Sequence, residues 1–262
     1  MQEIRYNIVQ IKQYGPDNYK LTLCKRLATG QKEELDKNLQ LQKTQKNNTR
    51  EKLLNNISRA KNTIMEYALC NHWDYFVTLT LDSKKYDRDD LDKFVKDLGQ
   101  FIRDYRKKHG IRFSYLLIPE LHADGKSWHM HGLFTDIPSS DLAFHPVLDQ
   151  AKKGYSIWKP YNEKFGFCSV SKIRDDLKTG IYITKYINKD LSKSVRESGK
   201  KLYYCSRGLQ KSGKVEEFQL RNALPFEFPF DGPFSKSIFI DSLQLAQLID
   251  MMDSKQCRKL ND

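Results

Sequence analysis

The sequence predicts an α+β fold, a central antiparallel sheet of about five strands with flanking helices, preceded by a β-hairpin and a helical extension. Two observations carry this. Apolar, β-branched runs alternate with amphipathic stretches at helical spacing between residues 74 and 209. Two neighbouring runs are joined by a tight Asp-Gly turn, which favours an antiparallel arrangement over a doubly wound parallel sheet.

The elements follow in order. Residues 3–12 and 18–25 alternate apolar and polar around the turn segment 14–18, the pattern of a hairpin. Residues 31–69 contain neither Pro nor Gly and carry Leu53, Leu54, Ile57, Ile64, Met65 and Ala68 at helical spacing, so one or two helices are expected there, the first half mostly solvated. Strands are expected at 74–82, 112–120, 128–135, 165–173 and 201–209. Residues 89–107 read as an amphipathic helix ended by His109-Gly110, and 175–194 as another. Residues 136–164 read as irregular with one short helix, 225–234 as a turn-rich connector, and 240–253 as a final helix. Three consecutive segments result: an extension at 1–70, a catalytic domain at 71–215 and a C-terminal extension at 216–262.

Composition narrows the partners. Lys and Arg number 45 against 33 Asp and Glu, a formal charge of +12 that suits an anionic partner, nucleic acid first. With 39% hydrophobic and 12% aromatic residues the chain has material for a core. No apolar run approaches the roughly 18 residues of a membrane span, so no membrane partner is expected. The first ten residues lack the pattern of a signal peptide. The five cysteines form no CxxC pair and no disulfide ladder, which points to a reduced, cytoplasmic protein. No GxGxxG or Walker A pattern occurs, so no nucleotide cofactor is expected.

The densest chemical signal is His129-Met130-His131. Residues two apart in a strand share a face, so two imidazoles stand side by side. If Asp124-Gly125 is a two-residue turn, Ala123 pairs with Lys126 and Glu120 falls opposite His129, with Cβ atoms roughly 5 Å apart. One carboxylate and two imidazoles then converge, a set that suits Mg²⁺ or Mn²⁺ with positions left open for water or phosphate oxygens. His122 shares that face as a spare ligand, while Trp128 and Met130 face the core. The competing reading is a pair of surface histidines, or one satisfied histidine in the core.

A second constellation lies in the helix at 175–194. Tyr182 and Tyr186 are four residues apart and share a face, and Lys185 and Lys189 each follow a tyrosine by three. A phenol is a poor nucleophile at neutral pH, but neighbouring ammonium groups and a metal-bound phosphate favour its ionised form. Taken alone, the helix reads first as an ordinary amphipathic helix, with packing tyrosines beside solvated lysines.

The order of these motifs resembles the HUH endonucleases. It runs from a strand with Phe76, Thr78, Leu79 and Thr80, through a carboxylate and a His-hydrophobic-His strand, to a YxxKYxxK helix. Within that superfamily it is most similar to the rolling-circle replication initiators of small plasmids and microviruses, over about residues 72–210. The resemblance implies a metal held by His129, His131 and Glu120, and attack by Tyr182 or Tyr186 on a phosphate of single-stranded origin DNA. It implies a 5′-phosphotyrosyl intermediate, a free 3′-OH that primes synthesis, and religation. It gives Lys185 and Lys189 an assisting role at the phosphate, and host helicase and polymerase as further partners.

The basic stretch that follows suits a single-strand groove. Lys193, Arg196, Lys200, Lys201 and Arg207 are interleaved with Tyr203 and Tyr204. The rival functions are a transposase or relaxase of the same chemistry, a non-catalytic single-strand binding protein, and a metal phosphohydrolase that uses water.

Overall fold

The computed structural model of the chain describes residues 3–29, 45–186, 201–220, 227–231, 235–253 and 257–259. The fold is α+β; among the described residues it has two sheets in which every strand pairing is antiparallel. The elements in chain order begin with β1 (Glu3–Gln13), β2 (Tyr19–Thr29), α1 (Gln45–Leu69), β3 (Tyr75–Thr80), α2 (Leu91–His109), β4 (Tyr115–Leu121) and β5 (Trp128–Phe134). They continue with β6 (Leu142–Phe144), α3 (Leu148–Lys152), β7 (Ser156–Trp158), α4 (Lys159–Lys164), β8 (Cys168–Lys172), α5 (Asp176–Ile183) and β9 (Tyr204–Cys205). Last come β10 (Gly213–Leu220), β11 (Phe230–Asp231), β12 (Ser235–Ile240), α6 (Ser242–Asp253) and β13 (Cys257–Lys259).

Residues 50–210 form one compact unit, and residues 1–49 with 211–262 form another. This replaces the three consecutive segments read from the sequence. The reason is long-range pairing: β1 lies between β2 and β10, and β2 pairs in turn with β12, so the N-terminal hairpin is the middle of a six-stranded sheet closed by C-terminal strands. Local patterns show each strand but not a partner some 200 residues away. The apolar centre of this unit is Val9, Ile11, Leu21, Phe218, Ile240, Leu245 and Leu248.

The other unit is built on a sheet of seven strands in the order β6-β7-β8-β3-β5-β4-β9. The sequence suggested about five. The excess is β6 and β7, three residues each, too short for alternation to register and lying in the stretch expected to be irregular. The expected strand at 201–209 shrinks to the two residues of β9.

One face of this sheet packs on α2. That helix buries Leu91, Phe94, Leu98, Ile102 and Tyr105, starts where the Asp90 carboxylate accepts from Lys93 N (2.9 Å), and stops at Gly110 in the left-handed conformation (φ 65°). Val77 and Leu79 of β3 and Trp128 and Met130 of β5 are buried, and alternate with Phe76, Thr78 and Thr80 and with His129 and His131, which face the other way. On the other face the C-terminal end of α1 meets α5 so closely that a Cβ at Gly180 would stand 2.5 Å from Leu69 Cδ2. Among the described residues no helix is long and apolar enough to cross a membrane.

Gly132 sits beside the histidine pair for a steric reason. A Cβ there would lie 2.3 Å from the Leu116 carbonyl oxygen and 2.5 Å from Leu117 Cδ2, in the middle of the β4–β5 ladder. Gly132→Ala is therefore expected to cost about 3 kcal/mol, by overpacking that neither backbone can relieve. Chemical denaturation of the variant checks this; an unchanged midpoint would contradict it.

Candidate active site

Two rows of side chains cross the face of the seven-stranded sheet opposite α2. In the first, Thr80, His129 and Glu120 stand opposite one another on β3, β5 and β4. In the second, Ser169, Thr78, His131 and Ile118 do the same on β8, β3, β5 and β4. The register of β4 on β5 is the one read from the Asp-Gly turn, but the turn is different. No two-residue turn forms, because both favoured types need positive φ at the first central position, and here Asp124 lacks it while only Gly125 has it (φ 72°). The strands are closed instead by His122 N donating to Ser127 O (2.7 Å), with Gly125 N donating to His122 O (2.9 Å). Asp124 accepts from Lys126 N, Ser127 N and Ser127 Oγ, which hold its carboxyl well below the usual range. A loop two residues longer on the same axis keeps every cross-strand pair.

The two imidazoles are held alike. Thr80 Oγ1 lies 3.1 Å from His129 Nδ1, and Thr78 Oγ1 lies 3.1 Å from His131 Nδ1. The Nε2 atoms are thus left for other partners. His131 Nε2 is 2.6 Å from Glu120 Oε2, a diagonal contact rather than the direct opposition of Glu120 and His129. His129 Nε2 is buried without a hydrogen-bond partner among the described residues. The His122 ring stacks on His129, with centroids 4.9 Å apart. Burial holds both imidazoles below their ordinary range. At His129 the positive fields of His122, His131 and Arg88 add to this, and at His131 the hydrogen bond to Glu120 opposes it. Neutral imidazoles are what a metal ligand requires.

The residue types fit a divalent cation: an orphaned buried Nε2, a second Nε2 facing a carboxylate, and both rings oriented through Nδ1. The fit lies in the donors, not in a closed cage. As they stand, no three His, Cys, Asp or Glu side chains among the described residues are grouped to hold an ion.

The tyrosines come from α5 and the tighter turn that continues it. The N-cap Asp175 accepts from Lys178 N (2.8 Å). The sequence suggested a regular helix to residue 194, but after Ile183 the backbone winds into a single 3₁₀ turn, Thr184–Tyr186. Thr184 Oγ1 donates to the Ile181 carbonyl (2.7 Å), the kind of side-chain bond that competes with the helical ladder. Tyr182 and Tyr186 still meet. The Tyr186 hydroxyl donates to that of Tyr182 (2.9 Å), and the Tyr186 ring lies flat on His131, centroids 3.8 Å apart. Phe76 packs edge-on against Tyr182 at 5.6 Å. Lys185 Nζ lies 5.2 Å from the Tyr182 ring centre. Burial and the bond to Tyr182 hold the Tyr186 phenol above its ordinary range, whereas Tyr182 is 45% exposed.

These tyrosines form one wall of a cleft of about 680 Å³. Its floor is Phe76, Thr78, Ser169 and Ser171 on the strands, and Lys172, Arg174, Lys178 and Lys185 line its rim. Asp175, the one carboxylate among its described lining residues, is paired with Lys178 Nζ at 3.0 Å. Of the rim residues sequence reasoning named Lys185 and not Lys172, Arg174 or Lys178; it also missed the floor serines, although alternation along β8 (Cys-Ser-Val-Ser-Lys), with Val170 buried, puts Ser169 and Ser171 on the histidine face.

The expected single-strand groove behaves differently. Lys189, Lys193, Arg196 and Lys200 lie outside the described residues. Lys201 is exposed. Tyr203 packs edge-on against Tyr67 of α1 (6.2 Å), so its ring is spent on the core. Tyr204 lines a small gap with Leu98, Ile102 and Met130, on the α2 face and away from the histidines. Arg207 lines a separate cleft. Both rings are half-buried, Tyr203 against α1 and Tyr204 against α2.

The searches among curated proteins and among solved structures found no match. Residues 74–191, less than half of the chain but the part that holds the histidines, Glu120 and both tyrosines, match the model of the replication-associated protein ORF2 family, and this segment is thus similar to replication-associated proteins.

Proposed function

We propose that the chain is a rolling-circle replication initiator that nicks and rejoins single-stranded origin DNA through a 5′-phosphotyrosine intermediate, with the aid of Mg²⁺ or Mn²⁺. The observation that carries this reading is the meeting of two phenols with two Nδ1-anchored imidazoles, the Tyr186 ring lying on His131. A binding module has no need of that conjunction, and a hydrolase that activates water has no need of the tyrosines.

His129 Nε2, His131 Nε2 and Glu120 would hold the cation. When bound, it supplies Lewis-acid charge to a phosphate entering pentavalent geometry. The remaining work falls to the chain. The cleft rim of Lys172, Arg174 and Lys185 neutralises the strand's backbone. Phe76 and Tyr186 hold Tyr182 in place from below. The Tyr182 oxygen bonds to phosphorus as the bond to the 3′ oxygen breaks. The phenol proton leaves and the departing 3′ oxygen takes one up, so protons balance. The phosphotyrosyl ester keeps the energy of the broken bond, and the reverse attack by a 3′-OH rejoins the strand.

Incubating the full chain with Mn²⁺ and single-stranded DNA of its own replicon, then separating the products on a denaturing gel, tests the reading. A metal-dependent protein–DNA adduct is expected. Cleavage without an adduct would assign the site to hydrolysis by water. Thr78→Val gives a finer check: it keeps the shape of the side chain and removes the partner of His131 Nδ1. Titration with Mn²⁺ should then show metal affinity about 10- to 100-fold weaker with the fold retained.

A further inference from the structure

The face of the seven-stranded sheet that packs on α2 carries a second cleft, of about 770 Å³, at the C-terminal end of α2 and the β9 edge. Among the described residues its lining includes Arg103, Arg106, Arg112 and Arg207 and no Asp or Glu. Arg106 is built in: it donates to the Phe113 carbonyl and to Ser206 Oγ (3.0 Å), and its guanidinium lies 5.8 Å from the Tyr115 ring centre. Arg103, Arg112 and Arg207 are exposed, and none of them forms an ion pair among the described residues. Tyr115 alternates with Glu120 along β4, so this cleft and the histidine site lie on opposite faces.

We propose that this cleft binds the sugar–phosphate backbone of the duplex that flanks the cut strand. The proposal rests on the reading that the histidine face handles a single strand. Three exposed guanidiniums with no compensating carboxylate attract phosphates, and the planar fork of arginine matches their oxygens. The aromatic lining points to duplex rather than single strand. Phe113 is buried and Tyr115 is engaged beneath Arg106, so no ring is free to stack an unpaired base. The cleft grips backbone and reads no sequence.

The test uses the full chain with Arg103, Arg112 and Arg207 all replaced by Gln. Binding is measured against salt for a duplex oligonucleotide and for a forked one with a single-stranded arm, and cleavage is followed on a plain single strand. Duplex and fork affinity should fall about tenfold or more near 0.1 M salt, and the slope of log affinity against log salt should flatten by about 2 to 3. Single-strand cleavage should be unchanged, which also shows that the variant folds. The corresponding triple Lys variant, which keeps the charge, should recover most of the duplex affinity. Unchanged duplex binding would overturn the proposal, as it would if the cleft served an acidic protein segment. An equal loss on single strand and duplex would overturn it too. Absence of cleavage by the wild-type chain, with the duplex effect intact, would instead fault the nicking reading alone.

Discussion

Tyr182→Phe is expected to abolish the covalent adduct and to lower initial cleavage by on the order of 10³-fold or more, the scale of losing a nucleophile outright. The two tyrosines are not equivalent. Tyr182 is 45% exposed on the cleft, and its oxygen accepts the hydrogen bond from Tyr186. The Tyr186 ring is laid against His131 and its proton is committed to Tyr182. On the proposed reading, Tyr182 is expected to be the first nucleophile, and Tyr186 the group that steadies it and takes the strand in a second exchange. Tyr186→Phe should then still form the first adduct, at a reduced rate, and fail in the transfer that follows. Each variant loses one exposed hydrogen bond, so thermal stability should be nearly unchanged. Loss of the first adduct in Tyr186→Phe with its retention in Tyr182→Phe would reverse the order.

The second large effect is expected at the imidazoles. His129→Ala or His131→Ala should remove cleavage while leaving single-strand binding in place, because the basic rim of the cleft is separate from the histidine rows. Metal affinity should fall by more than the 10- to 100-fold that a lost outer partner costs. The two variants should differ in stability. His129 Nε2 has no partner to lose, whereas removing His131 strands the Glu120 carboxylate and takes away the surface on which Tyr186 stacks. His131→Ala is accordingly expected to be the less stable by about 1–2 kcal/mol. Equal stability of the two, with metal binding intact in both, would contradict the arrangement.

How much of this was legible in the sequence depended on the range of each signal. The β4–β5 register followed from Asp124 and Gly125, and it survived an error in the turn because both loop lengths preserve the same pairs. Glu120 was found by that register, but its contact with His131 rather than His129 is a diagonal that counting along the ladder does not give. Thr78 and Thr80 were visible as part of a motif; that each orients an imidazole required the β3–β5 pairing. The break at Thr184 was hidden because a single side-chain bond tightens the helix without disturbing the Tyr spacing. The six-stranded sheet of the second unit was the least legible, since β10 and β12 complete a hairpin at the opposite end of the chain.

The central claim is that a tyrosine of this chain becomes joined to DNA through phosphorus. Mass spectrometry tests it most directly. The wild-type chain would be reacted with Mn²⁺ and single-stranded DNA, digested with nuclease and protease, and searched for a peptide carrying a 5′-linked nucleotide. The expected result is a modified peptide containing Tyr182, absent when EDTA replaces the metal. Cut DNA bearing free 5′-phosphate and no modified tyrosine peptide would contradict the account.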